Sequence, residues 1–163
     1  MAGTQTYINP SFPGGSFSAP NPPVGIRSEI FTYRATGNYY TWVVPAGVTY
    51  VKAIVVGGGN DGGATVGGTT SLGQYATATG ASASGGGAGS FSVTTTRFPQ
   101  NIGPSFASLM VTNYGFGAGG VGTGSGGQGI VFLQNMVPGT TIRITIGAQG
   151  GASAGNGVVI LEY

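Results

Sequence analysis

The chain of 163 residues is long enough for about one domain with a buried core. Its 35 glycines and 9 prolines exceed a quarter of the residues, which alone points to low complexity, but charged residues are only 5% and aromatic residues 10%, the reverse of a disordered composition. The net charge of +2 is spread over single, scattered side chains, which excludes a basic patch for nucleic acid or anionic lipid, and the lack of cysteine excludes disulfide and thiol chemistry.

Residues 1–28, MAGTQTYINPSFPGGSFSAPNPPVGIRS, carry prolines at 10, 13, 20, 22 and 23. Proline this dense prevents helix and central strand, so an extended arm is predicted. Tyr7, Phe12 and Phe17 place large apolar groups along it and are the candidate anchors on a neighbouring subunit. The first residues lack the charged and apolar regions of a signal peptide, and no apolar run approaches the length of a membrane span.

From residue 29 the texture changes to short segments rich in β-branched and aromatic residues, bounded by Gly, Pro or Asn. EIFTYR (29–34), YYTWVVP (39–45), TYVKAIVVG (49–57), SFSVTTTR (90–97), SFASLMVTNY (105–114), GIVFLQN (129–135), TTIRITIG (140–147) and GVVILEY (157–163) are predicted strands. In TTIRITIG the isoleucines 142, 144 and 146 alternate with Thr141, Arg143 and Thr145, the period of a half-buried strand. Residues 53–57 and 158–161 are apolar throughout, as central strands require, and Trp42 and Tyr40 are expected in the core. No segment has an apolar period of 3.6. The fold class is therefore all-β, a β-sandwich or jelly-roll-like domain over 29–163 with long glycine-rich loops and an extended N-terminal arm.

Two glycine tracts lie between the strands, 57–89 and 115–129. Glycine lets backbones approach closely but orders only if neighbours satisfy its amides, and it costs roughly 0.5–1 kcal/mol more than alanine to fix in regular structure. The first tract is read as an insertion displayed between strands.

The motifs that could carry chemistry fail on their context. GGGNDG (57–62) has the glycine spacing of a dinucleotide fingerprint directly after a strand, but ATVGGTTSLGQ cannot supply the helix that holds a pyrophosphate. The only lysine, Lys52, precedes the glycines, which removes a P-loop. GASAG (151–155) matches a nucleophile elbow, but without any histidine Ser153 has no base. Carboxylate chemistry would have to draw on Glu29, Asp61 and Glu162, which are far apart in sequence. No catalytic residue, metal site or cofactor is expected. Aromatic rings beside glycine are the better binding candidates, because a ring on a loop can stack on a sugar or fill a receptor pocket. These are Tyr75 in the first tract and Tyr114 and Phe116 at the start of the second, with local core packing as the competing role for each.

YTWVVPAGVTYVKAIVVGGG (40–59), VPGTTIRITIGAQGG (137–151) and GNGVVILEY (155–163) together resemble the glycine-rich domain of bacteriophage tail-fibre and related virion proteins, over about residues 30–163. The resemblance implies a β-sandwich with glycine-rich loops, a homo-oligomer with a trimer favoured, and a place on the virion exterior. Its partners would be other virion proteins and a host cell-surface glycan or protein, with no nucleic acid and no membrane insertion. In some phage adhesins of this kind, glycine runs form packed polyglycine-type layers that display loops for host recognition. Here no run exceeds three glycines and residues 90–114 interrupt the tracts, so such a layer is not expected. The small size suits a tip subunit, attached through the arm, that binds a host receptor. The alternative is a capsid decoration protein that stabilises its neighbours, and a depolymerase would need the three carboxylates in one cleft.

Overall fold

A computed structural model describes residues 27–37, 39–62, 65–82, 89–93, 99, 100, 117 and 124–163. Among them lie ten strands and no helix: β1 (Ser28–Thr32), β2 (Tyr39–Val43), β3 (Tyr50–Val56), β4 (Thr70–Leu72), β5 (Ala76–Ala78), β6 (Phe91–Val93), β7 (Pro99–Gln100), β8 (Gln128–Gln134), β9 (Thr141–Thr145) and β10 (Val158–Glu162). They form two five-stranded antiparallel sheets, ordered β1-β10-β3-β8-β7 and β2-β9-β4-β5-β6. The all-β sandwich expected from the sequence is present.

The core follows from alternation. On β3 the side chains of Val51, Ala53 and Val55 point inward, on β9 those of Ile142 and Ile144, and on β10 those of Val159 and Leu161, all fully or almost fully buried between the sheets. Trp42 is 4% exposed within this cluster and Tyr40 packs half-buried against it, as the strand pattern of 39–43 predicts. β10 and β3 are central because both faces are covered or apolar. β7 holds a proline at the edge of the first sheet, where a missing amide donor is tolerated.

Two turns at one end of the sandwich set the register. In Val137-Pro138-Gly139-Thr140 the Thr140 amide donates to the Val137 carbonyl at 3.1 Å, with Gly139 at φ 84°. In Pro45-Ala46-Gly47-Val48 the Val48 amide donates to Pro45 at 3.2 Å, with Gly47 at φ 82°. Both are turns that need a positive φ at the third residue, which glycine adopts without a clash. The two turns are tied here by Val44 N–H to the Thr140 carbonyl and Gly139 N–H to the Val44 carbonyl.

Two expectations are corrected. The tract 57–89 is not simply a displayed insertion, because residues 70–72 and 76–78 within it are strands of the second sheet and Gly57, Gly58 and Gly67 are buried. Nor do short glycine runs prevent a packed glycine layer.

Candidate functional site

At the end opposite those turns the two sheets run on into glycine. β3 continues as 57–60, β8 is entered from 124–127 and β10 from 155–157, so the first sheet extends as one row of backbones. β4 is entered from 67–69, β5 continues as 79–82 and β9 as 147–150, which forms a second row. Packed sheets normally sit about 10 Å apart with side chains between them. Here the rows hydrogen-bond directly.

The central segment, 57–60, shows the geometry. Gly57 N–H donates to Gly127 at 2.8 Å, Gly58 N–H to Gly68 at 2.8 Å, Gly59 N–H to Gly155 at 2.9 Å and Asn60 N–H to Gly124 at 3.1 Å. Successive amides thus point at three neighbours in turn, and the fourth returns to the segment reached by the first. A β-strand alternates between two directions. A three-residue period is that of the polyproline II helix, which has no internal hydrogen bonds and must find partners outside itself. The carbonyls of Gly58 and Gly59 accept from Ala81 and Gly150, which adds two more neighbours.

The segments around the centre are bonded to one another in a closed ring. Gly67 N–H donates to Ala81, Gly127 to Thr79, Gly126 to Gly117, Gly117 to Asn156, Gly157 to Gly147 and Gly68 to Ala148, at 2.7–3.0 Å. Five segments and the residue Gly117 surround the central one, a hexagonal lattice of backbone. Glycine is required wherever one backbone faces another: a methyl group on Gly58 would fall on the carbonyl oxygen of Ala148, and one on Gly80 on that of Gly67. Buried amides must be paired, and those of Gly57, Gly58, Gly59, Asn60, Gly67, Gly126, Gly127, Gly150 and Gly157 are paired with other backbone.

Two side chains complete the lattice. Thr70, fully buried, accepts the Gly147 amide at its Oγ1 at 3.0 Å. Asn60, 1% exposed, closes the end of the central segment: its Nδ2 donates to the Ser82 carbonyl at 2.8 Å and its Oδ1 accepts the Gly62 amide at 2.7 Å. Beyond this end lie the loop from Gly151 to Ala154, where Ser153 is exposed, and Val66, which is 55% exposed.

The sequence-predicted residues fall as follows. Tyr75 lies in the turn between β4 and β5, half-buried against the core, and its amide donates to the Leu72 carbonyl. Tyr114, Phe116, Tyr7, Phe12 and Phe17 lie outside the described residues. The three carboxylates are separated: Glu29 points inward and accepts from Trp42 Nε1 at 3.3 Å and from the Tyr163 hydroxyl. Glu162 lies on the outer face of the first sheet, 2.7 Å from Lys52 Nζ. Asp61 sits beyond the lattice. No group of three acidic, histidine or cysteine side chains that could hold a metal occurs among the described residues.

At the turn end, a groove of about 580 Å³ is lined by Arg27, residues 45–50 and Tyr163. Burial raises the Tyr163 phenol above its usual 10.0, and its hydrogen bond to Glu29 and that group's charge raise it further, partly offset by Trp42 and Arg27. Asn60 and Thr70 carry no local signal in the sequence, because their importance rests on partners 22 and 77 residues away. No family model, curated protein or solved structure matches the chain.

Proposed function

We propose that this chain is a non-enzymatic surface protein of a bacteriophage virion, of tail-fibre or spike type, that contributes to attachment to the host through its glycine-rich end. The observation that carries this reading is the hexagonal lattice, the kind of packed glycine layer that the resembled adhesins use to hold recognition loops. A lattice bonded through backbone is indifferent to the side chains of the loops that join its segments. Those loops are free to vary in sequence while the platform stays fixed, which is what a receptor-binding tip requires.

A second reading, a decoration protein that stabilises neighbouring virion subunits, is favoured by the outer face of the first sheet. Ile30, Ile160, Ile54 and Ile130 are aligned across four strands by the register, and Ile30 is 62% exposed. Such a row suits packing against another subunit, and it also suits the oligomer expected of a spike.

Gold-labelled antibody on purified particles, with purified protein as competitor for particle adsorption to host cells, tests the first reading. Label at the tail and reduced adsorption are expected. Label spread over the head, with adsorption unaffected, would transfer the proposal to the decoration role, and absence from the particle would end both.

A further inference from the structure

The outer face of the second sheet carries a different row. Tyr39 of β2 pairs with Thr145 of β9, Thr145 with Ser71 of β4, Ser71 with Thr77 of β5, and Thr77 with Ser92 of β6. One register line thus crosses all five strands, and every residue on it ends in a hydroxyl. Alternation turns each of them outward: their strand neighbours Ile144, Leu72, Ala76 and Ala78 are buried, whereas Tyr39 and Ser92 are exposed and the other three half-exposed.

We propose that this face is a binding platform for an acidic glycan, which lies across the strands along the hydroxyl row. Strands are spaced about 4.8 Å apart, so the row offers a hydroxyl at each step to a chain of sugar hydroxyls, each able to donate and accept. The Ser71, Thr77, Ser92 and Thr145 hydroxyls form no side-chain hydrogen bond with another described residue, so their capacity is available to a ligand. The side chains are short, which lets a sugar ring approach the sheet.

The charge on this face selects the ligand. Arg143 lies beside the row, its guanidinium 4.5 Å from the centre of the Tyr39 ring. The stacked ring holds the planar fork in place, and a guanidinium so held suits bidentate pairing with a carboxylate. All three carboxylates of the chain are elsewhere: Glu29 points into the sandwich, Glu162 is on the other sheet's outer face, and Asp61 is beyond the lattice. A carboxylated sugar at Arg143 therefore meets no like charge on this face. The exposed Tyr39 ring, 55% accessible, adds a surface for the apolar side of a sugar.

The proposal rests on the attachment reading only for the biological source of the glycan. Its test uses the full chain, with a galacturonic acid tetramer as the acidic probe and a galactose tetramer as the neutral one. NMR shift mapping should place the acidic probe on β9, β4 and β5 and show it binding roughly tenfold tighter than the neutral one. Arg143→Gln should abolish that preference. Thr77→Val and Ser71→Ala should each weaken the acidic probe roughly three- to tenfold, the range for loss of one hydrogen bond, while Ile30→Ala on the opposite sheet should leave binding unchanged. Shifts confined to another face, no binding at millimolar probe, or equal binding by the variants would overturn the platform, and mapping on the unaltered protein decides the first two even if a variant misfolds. Binding without any effect on particle adsorption would keep the platform and remove the attachment reading. Adsorption blocked equally by the R143Q and T77V proteins would do the opposite.

Discussion

The amide of Gly58 donates to the carbonyl of Gly68 at 2.8 Å, and this bond joins the continuation of β3 in one sheet to the segment that enters β4 in the other. No side chain stands between them. A sandwich that keeps its sheets apart with Val55, Leu72 and Ile144 at its centre thus closes to backbone contact at one end. A net gain of about 0.5–1.5 kcal/mol per hydrogen bond only roughly offsets the extra 0.5–1 kcal/mol of ordering each glycine. The lattice is therefore held in place by the strands that feed it.

Gly58→Ala should destabilise the protein by at least about 3 kcal/mol, because the added methyl meets the Ala148 carbonyl and backbone on both sides must shift. Gly47→Ala is the comparison. Its Cβ would meet open space, and the cost is that of a left-handed residue, about 1–2 kcal/mol. Urea unfolding of both variants checks this, and equal losses would show that the lattice has room to spare.

How far the fold can be read from sequence depends on where each signal resides. β3 and β10 are continuous apolar runs, Trp42 sits in an alternating strand, and the VPAG and VPGT turns announce their glycines, so all of these are local and legible. β4 and β5 are TSL and ATA, three small residues each, with too little apolar mass to register against the glycine around them. The lattice is harder still. Runs of no more than three glycines and the interruption at 90–114 argue against it, but a three-residue period presents only one residue in three to each neighbour. Thr69, Gln149 and Ser125 can therefore sit inside lattice segments, at positions that are not fully buried, without breaking the packing. Which positions face another backbone is set by pairings such as Gly58 with Gly68 and Ala148, and no local pattern encodes them.

Thr70→Val should cost about 1–3 kcal/mol although the two side chains have nearly the same shape. The substitution leaves the buried Gly147 amide without its acceptor. Thr70→Ser keeps the oxygen and should recover most of the loss. Hydrogen exchange gives an independent reading: the amides of Gly58, Gly68 and Gly147 should be protected like those of β3, and in T70V the Gly147 amide should exchange first.

Glu162→Gln should change stability by less than about 1 kcal/mol. The Lys52–Glu162 pair is close, at 2.7 Å, but both side chains are 34% exposed, so water and salt screen it. Thermal melts at low and high salt test this: the small difference between E162Q and the unaltered protein should shrink as salt rises.

Tyr163→Phe should alter how stability responds to alkaline pH. The Tyr163 hydroxyl donates to Glu29, and burial together with that neighbour keeps the phenol protonated to higher pH in the folded chain than its usual 10.0. The folded state therefore holds the proton more tightly than the unfolded state. The stabilisation is complete below pH 10 and is lost as the pH rises through the raised value, because unfolding then releases a proton. Replacing Tyr163 by phenylalanine removes the donor at every pH, leaves Glu29, among the described residues, with the 3.3 Å bond from Trp42, and abolishes this alkaline component. Denaturant melts between pH 8 and 11 should show the unaltered protein more stable than Y163F at pH 8, with the gap narrowing above pH 10. A constant gap would mean that the hydroxyl loses its proton at the same pH in the folded and the unfolded state, and the raised value would be wrong.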